Sequence, residues 1–285
     1  MDSRRSALRT LFLGLLLVAL FWPLNWILAE THALFFPLWL GYVLTVDGIV
    51  RLRTGTSLLA RHPRLFFVLF PLSVPGWWLF EAFNERLGNW EYLGAERFSD
   101  VEYFLWASLS FSTVIPAVFE SAELVRSFRF IERFARGPVF PRRGDTLAYR
   151  GTLALLGLGM TAATLLWPEK CFPFVWTGLV FVLEPVCLAL GRRAFTDDLR
   201  RGDWRPWMSL WLGGLLCGFF WEMWNLWSFP KWIYHVPYVG FWKVFEMPLL
   251  GYLGYLPFAM ELYLMAQLAL PRSVEIPLPR EREVS

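Results

Sequence analysis

Eight apolar stretches divide the chain, at about 10–29, 33–50, 65–85, 102–123, 148–167, 172–190, 208–228 and 246–270, and the charged residues gather between them. A hydrocarbon core about 30 Å thick is crossed by about 20 residues of helix, so each stretch is long enough to span. No water is available there to satisfy backbone N–H and C=O groups, which restricts spanning segments to helices and closed barrels. Unbroken apolar runs of this length suit helices, whereas barrel strands alternate over about 10 residues. The sequence therefore predicts an all-α, polytopic membrane bundle of about eight transmembrane helices. Composition agrees: 56% of the 285 residues are hydrophobic and 18% charged, against about 45–50% and 25% in soluble domains.

Arg4, Arg5 and Arg9 precede the first run in the manner of a signal peptide. That run corresponds in position to the fifth, which cannot be a signal, so it is read as a retained helix. With the N-terminus in the cytoplasm, 22 of the 27 Lys and Arg residues fall on the cytoplasmic side. The outer loops hold only Arg86, Arg97, Lys170, Lys231 and Lys243. The positive-inside rule then predicts a multi-pass protein of the cell (inner or plasma) membrane with both termini cytoplasmic.

The chain also repeats itself at an offset of about 141 residues. Glu81, Asn84, Trp90 and Tyr92 answer to Glu222, Asn225, Trp232 and Tyr234, and Pro116 with Glu120 answers to Pro257 with Glu261. Earlier in each half, Pro37, Trp39, Gly41 and Asp47 answer to Pro173, Trp176, Gly178 and Glu184. Four helices per repeat is an even number, so the reading is a tandem parallel duplication about an axis along the membrane normal. The expected units are a first four-helix repeat over 1–125, a basic cytoplasmic connector over 126–147, a second repeat over 148–270 and a polar tail over 271–285.

Several classes fall away. Cys171, Cys187 and Cys217 have no C-x-x-C spacing, and His32, His62 and His235 are isolated, which excludes a His-rich di-iron oxygenase. No metal site and no cofactor is expected. The basic blocks are explained by topology, so no nucleic-acid partner is expected; the expected partner is a membrane lipid or isoprenoid substrate.

What the chain repeats is carboxylates inside apolar segments, where an ionisable group costs about 2.5–3.5 kcal/mol on insertion scales. Glu81 and Asn84, and Glu222 and Asn225, share a helix face at a spacing of three toward the outer ends of helices 3 and 7. Trp90, Tyr92, Trp232 and Tyr234 suit either interfacial anchors or substrate-binding aromatics. Glu102 and Glu246 open helices 4 and 8, where they either cap the helix or serve the site. Asp47, Glu120, Glu184 and Glu261 form a second acidic layer nearer the cytoplasm, read first as structural groups paired with arginines such as Arg51, Arg126 or Arg192.

The motif resembles the membrane-embedded, flavin-independent lycopene cyclase domain of bacterial, archaeal and fungal carotenoid cyclases. The residues that carry the resemblance are Trp78, Glu81, Asn84, Trp90, Tyr92 and Glu102 in the first half. In the second they are Trp221, Glu222, Asn225, Trp232, Tyr234 and Glu246. The match covers about 25 residues per repeat; single acids stand where the family has a pair, and Pro248 follows the acid rather than preceding it. The resemblance implies a cyclase-like isomerase or lyase without a redox cofactor, with Glu81 and Glu222 as the helix acids and Glu102 and Glu246 in the place of the acid pair.

Two mechanisms follow. In the first, an enzyme protonates an isolated C=C of a polyisoprenoid or carotenoid-like lipid, as a cyclase or hydratase does. That needs a carboxyl whose proton is held in a dry site and π-rich walls for the cation. Glu81 and Glu222 are the expected acids, Asn84 and Asn225 orient them, and Glu102 and Glu246 stabilise charge or act as bases. In the second, the two acidic layers serve a proton- or cation-coupled transporter. A scaffold whose acids only hold helices together is the third reading.

Overall fold

The computed structural model describes residues 2–28, 31–141 and 145–270. The expected tail over 271–285 and residues 142–144 of the expected connector lie outside them. The long helices are α1 (Asp2–Ile27), α2 (Phe35–Thr54), α3 (Pro63–Leu87), α4 (Asp100–Phe111), α5 (Val114–Arg126), α6 (Leu147–Leu166), α7 (Val175–Ala189), α8 (Arg205–Asn225) and α9 (Tyr255–Ala269). Six stretches are long and apolar enough to cross a membrane: Ser3–Ile27, His32–Thr54, Pro63–Leu87, Asp100–Arg126, Pro168–Ala189 and Leu249–Ala269. Helices α6 and α8, of 20 and 21 residues, have the length but are not among these six. Leu13, Leu16 and Leu20 on α1 and Leu155 and Leu158 on α6 point away from the protein, an arrangement that suits lipid and would be a liability in water.

Small residues bring the helices together in pairs. A Cβ on Gly14 of α1 would meet the Thr45 backbone nitrogen of α2 at 2.4 Å. One on Gly157 of α6 would meet the Val182 backbone nitrogen of α7 at 2.7 Å. Without a hydrophobic drive between helices in lipid, such close backbone approach is what holds a pair. Helices α2 and α3 then pack on α5, α7 and α8 pack on α9, and α5 lies against α8. Between them Trp39, Trp224, Phe66, Phe80, Phe258 and Tyr263 are fully buried.

The structure departs from the expected segments in two places. The single helix expected over 102–123 is broken at Ser112 and Thr113, whose hydroxyls donate to the Leu109 and Ser110 carbonyls. Pro116, lacking an N–H, cannot continue the ladder from α4. Ser73 of α3 spans the break, donating to the Phe111 carbonyl at 2.6 Å and accepting the Ile115 N–H at 3.0 Å. The helix expected from 246 begins only at Tyr255, after a 3-10 turn over Leu249–Gly254, with Pro257 in its first turn. Glu246 therefore opens no helix. It sits between the short paired strands β3 (Lys243–Val244) and β4 (Met247–Pro248).

The connector is tied down by charge. Glu132 bonds both Arg126 and Arg205, and Arg205 also holds Asp203 at 2.8 and 2.9 Å. Partial burial works against ionisation of Glu132 and Asp203, but hydrogen bonds from these arginines hold both carboxyls below the usual range. Groups with lowered native pKa contribute stability above the unfolded value, about 4, and lose it as pH falls through the native value. Hydrogen exchange over 129–134, corrected for intrinsic rate, is thus expected to rise below roughly pH 4. Glu132→Gln is expected to show that rise already at pH 7.

Candidate functional site

The two Trp-x-Tyr motifs are strands, and they pair with each other. Strand β1 (Trp90–Leu93) runs antiparallel to β2 (Lys231–Tyr234), with Trp90 opposite Tyr234 and Tyr92 opposite Trp232. Each strand is fastened to the helix before it by an asparagine. The Asn84 amide donates to the Trp90 carbonyl at 2.7 Å, and its oxygen accepts the Asn89 and Trp90 N–H groups. The Asn225 amide donates to the Trp232 carbonyl at 2.7 Å and accepts the Trp232 N–H at 2.9 Å. These partners correct the expectation that Asn84 and Asn225 orient the neighbouring glutamates: they saturate strand backbone that would otherwise be unpaired.

The tyrosines return to the helices. Tyr92 donates its hydroxyl to Glu81 Oε1 at 2.5 Å, joined there by the indoles of Trp77 at 2.7 Å and Trp90 at 3.2 Å. Tyr234 donates to Glu222 Oε1 at 2.7 Å, joined by Tyr255 at 2.7 Å. The second donor differs for a local reason. Trp77 lies four residues before Glu81, one helical turn away. Four residues before Glu222 stands Gly218, where a Cβ would meet the Tyr255 ring at 2.5 Å. The absent side chain admits Tyr255 from α9, and a phenol takes the place of the indole. Trp232, opposite Tyr92, donates to the Tyr234 hydroxyl at 3.0 Å. Burial first, and then the adjacent glutamate, push the Tyr92 and Tyr234 hydroxyls well above their ordinary pKa, so both stay protonated donors.

The tyrosines border an apolar cavity of about 140 Å³, lined from both halves of the chain. Trp77, Trp90, Trp176, Trp221 and Phe258 are among its walls, with Trp90 stacked on Trp176 at 6.0 Å. Tyr92, Tyr234 and Tyr255 line it as well, while Glu81 and Glu222 stand behind their tyrosines and are not in its lining. Glu222 is wholly buried, and its Oε2 has no hydrogen-bond partner.

Of the other expected site residues, Glu102 forms a reciprocal capping box with Ser99 at the start of α4 and is exposed. Glu246 pairs with Lys231 at 2.5 Å. Neither lines the cavity. The second acidic layer is buried, but not through the expected arginines. Asp47 accepts the Leu59 N–H at 3.0 Å, in the short helix Leu58–Arg61. Glu184 accepts those of Phe195 and Thr196 at 3.1 and 2.6 Å, at the start of the short helix Phe195–Leu199. Both acids exploit orphan N–H groups at a helix N-terminus. Arg51 donates to Ser6, Arg126 pairs with Glu132, and it is Arg61 that bonds Glu123. The Glu120 and Glu261 carboxyls meet no donor in hydrogen-bond geometry; they face the Asp47 carboxyl and the Leu179–Val180 backbone respectively. Among the described residues no cluster of His, Cys, Asp or Glu is placed to hold a metal ion.

Sequence reasoning passed over Trp77, Tyr255, His32 and Glu123. Trp77 carried a usable signal, its one-turn spacing from Glu81. Tyr255 carried none, since Val114 stands at the matching position of the first half. The Gly218 exchange yields a test. Gly218→Ala is expected to displace Tyr255 and leave Glu222 short of a donor, costing about 1–3 kcal/mol. Trp77→Phe, which leaves Glu81 with Tyr92 and Trp90, is expected to cost less. Thermal unfolding of the two purified variants in one detergent compares them.

Comparison of the chain with protein-family models, with curated proteins and with solved structures finds no match in any of the three, so what this site does is argued from its own side chains.

Proposed function

We propose that the chain is an integral membrane enzyme that protonates an isolated C=C of a polyisoprenoid or carotenoid-like lipid, in the manner of a cyclase or hydratase. The observation that carries this reading is an aromatic cavity backed by two carboxyls, each joined to it by a tyrosine hydroxyl. The substrate class follows from the walls. Trp, Phe and Tyr faces offer no polar handle beyond a few hydroxyls and indole N–H groups, and they stabilise a cation that has lost its water. An apolar cavity of about 150 Å³ holds a benzene ring. The cavity therefore suits one ring-sized end of a longer chain whose remainder lies in the bilayer.

Glu81 and Glu222 are the general acids in this reading. With the carboxyl protonated the shared hydrogen bond reverses: the tyrosine oxygen accepts the carboxyl proton as its own hydroxyl proton passes to the terminal C=C. Electrons of the next double bond close the ring. The order of acid, Asn and Trp-x-Tyr that resembles the lycopene cyclase domain supports the same chemistry. The bundle is a tandem parallel duplication of a four-helix unit, α6 and α8 completing eight spans, with both termini in the cytoplasm. The 141-residue offset and the matching roles of Asn84 and Asn225 support the duplication. The distribution of basic residues supports the orientation.

A second reading rests on the other acidic layer. Among the described residues Glu120 and Glu261 are buried with no hydrogen bond in good geometry, and Asp47 lies on α2 about 18 Å along the helix from Phe35 at the cavity. Carboxyls at two depths suit a proton- or cation-coupled transporter.

Expression in cells that accumulate lycopene, beside a Glu81→Gln/Glu222→Gln double variant, separates the readings. A cyclised product of unchanged mass, or a hydrated one, is expected from the native chain and absent from the variant. Well-expressed native protein that leaves lycopene unchanged in the cells contradicts the enzyme reading for this substrate. Proton flux in liposomes that is lost on Glu120→Gln would then favour transport.

A further inference from the structure

The reading above supplies a proton and leaves open what removes one. Closing a ring by protonation creates a cation that must lose a C–H proton to become a neutral alkene, so the cavity needs a base as well as an acid. Its walls are mostly aromatic, and among the described residues they include a single imidazole, His32.

His32 opens the 3-10 turn His32–Leu34 immediately before α2. Its ring meets Phe98 edge-on at 5.0 Å and Trp106 at 4.4 Å. Both contacts are to cavity-lining residues, and together they fix the imidazole at the wall. Among the described residues neither ring nitrogen makes a hydrogen bond, so a lone pair is free for a proton. Glu102 lies close enough to interact with His32 electrostatically and is exposed at the start of α4. The acid that does not itself line the cavity is thereby coupled to it, and its exposed carboxylate offers the proton a way out to water.

We infer that His32 is the catalytic base of this site, taking the proton that a cationic isoprenoid intermediate releases and passing it toward Glu102. The inference rests on the proposed function. In the balanced step, the terminal C=C gains a proton from the Glu–Tyr couple, and the next C=C supplies the electron pair of the new ring bond. A C–H bond beside the resulting cationic carbon then breaks. Its electron pair becomes the ring double bond, and its proton goes to the imidazole nitrogen. One proton enters and one leaves per turnover, so the product is an isomer of the substrate and no oxidant or reductant is needed.

The test uses the full chain in liposomes with lycopene as the probe, and compares native protein with His32→Ala and His32→Gln. The native chain is expected to form a cyclic isomer. Both variants are expected to purify as folded protein and to lose about 10²–10⁴-fold in rate, the usual weight of a general base. Imidazole added to His32→Ala is expected to restore part of the rate, because it fits the vacated space and replaces the base. His32→Gln, whose side chain still fills that space, is expected to respond less. Variants that keep the native rate and product overturn the inference and leave the proposed function standing. So does a folded His32→Ala that is slow and indifferent to imidazole, since that marks a packing role. A native chain that leaves lycopene unchanged removes the underlying reading, and the inference with it.

Discussion

The antiparallel pairing of β1 with β2 is the contact on which the site depends. It joins segments more than 130 residues apart in the chain, and each strand delivers a tyrosine to the carboxyl of the helix that precedes it. Neither strand is long enough to be stable alone; a two-stranded ribbon is marginal even in water. The asparagine clamps from α3 and α8 supply what the ladder lacks by saturating backbone at each strand's start. The ladder continues past the strand, where His235 donates its N–H to the Asn89 carbonyl at 2.8 Å. On the exposed face the His235 ring meets Glu91 at 2.9 Å. Without this pairing Glu81 and Glu222 would be two acids on separate helices. With it they stand behind one cavity.

The two acids are held in similar but unequal surroundings, and the inequality arises at one position. Trp77 gives Glu81 a donor from its own helix, while Gly218 opens a gap that Tyr255 fills from α9. Glu81 keeps some exposure, whereas Glu222 has none and retains an unpaired oxygen. A buried acid with spare acceptor capacity is costly to the fold, and such groups concentrate where chemistry needs them.

Much of this was legible in the sequence, and the parts that were not have identifiable causes. The apolar runs gave the helices because lipid permits little else. The repeated motif contributed Trp90, Tyr92, Trp232 and Tyr234 to the cavity lining, since those residues fall at nearly fixed offsets, while the rest of the lining lies outside it. The strands were hidden: Trp90–Leu93 and Lys231–Tyr234 are four-residue segments whose partners are distant, and no local periodicity announces such a pairing. The break before α5 falls inside a stretch expected to be one helix, because Ser73, which receives the freed groups, lies 42 residues away from Ile115. The inner acids were expected to find arginines, and for Asp47 and Glu184 backbone N–H groups of short helices served instead. Charge pairing can be guessed from composition; a helix N-terminus folded back onto a distant carboxylate cannot.

The most direct test of the account is a cross-link between the paired strands. Glu91 and Ile233 are opposed in the register, and opposed residues in an antiparallel pair lie about 4.5–5.5 Å apart at Cα, within reach of a disulfide. Cysteines placed at 91 and 233 should oxidise to one defined disulfide, identified by mass spectrometry. After proteolytic cleavage in the connector, that bond should hold the two halves together under denaturing conditions. Failure of the pair to cross-link, or preferential cross-linking of cysteine 91 elsewhere, would contradict the pairing and with it the common cavity.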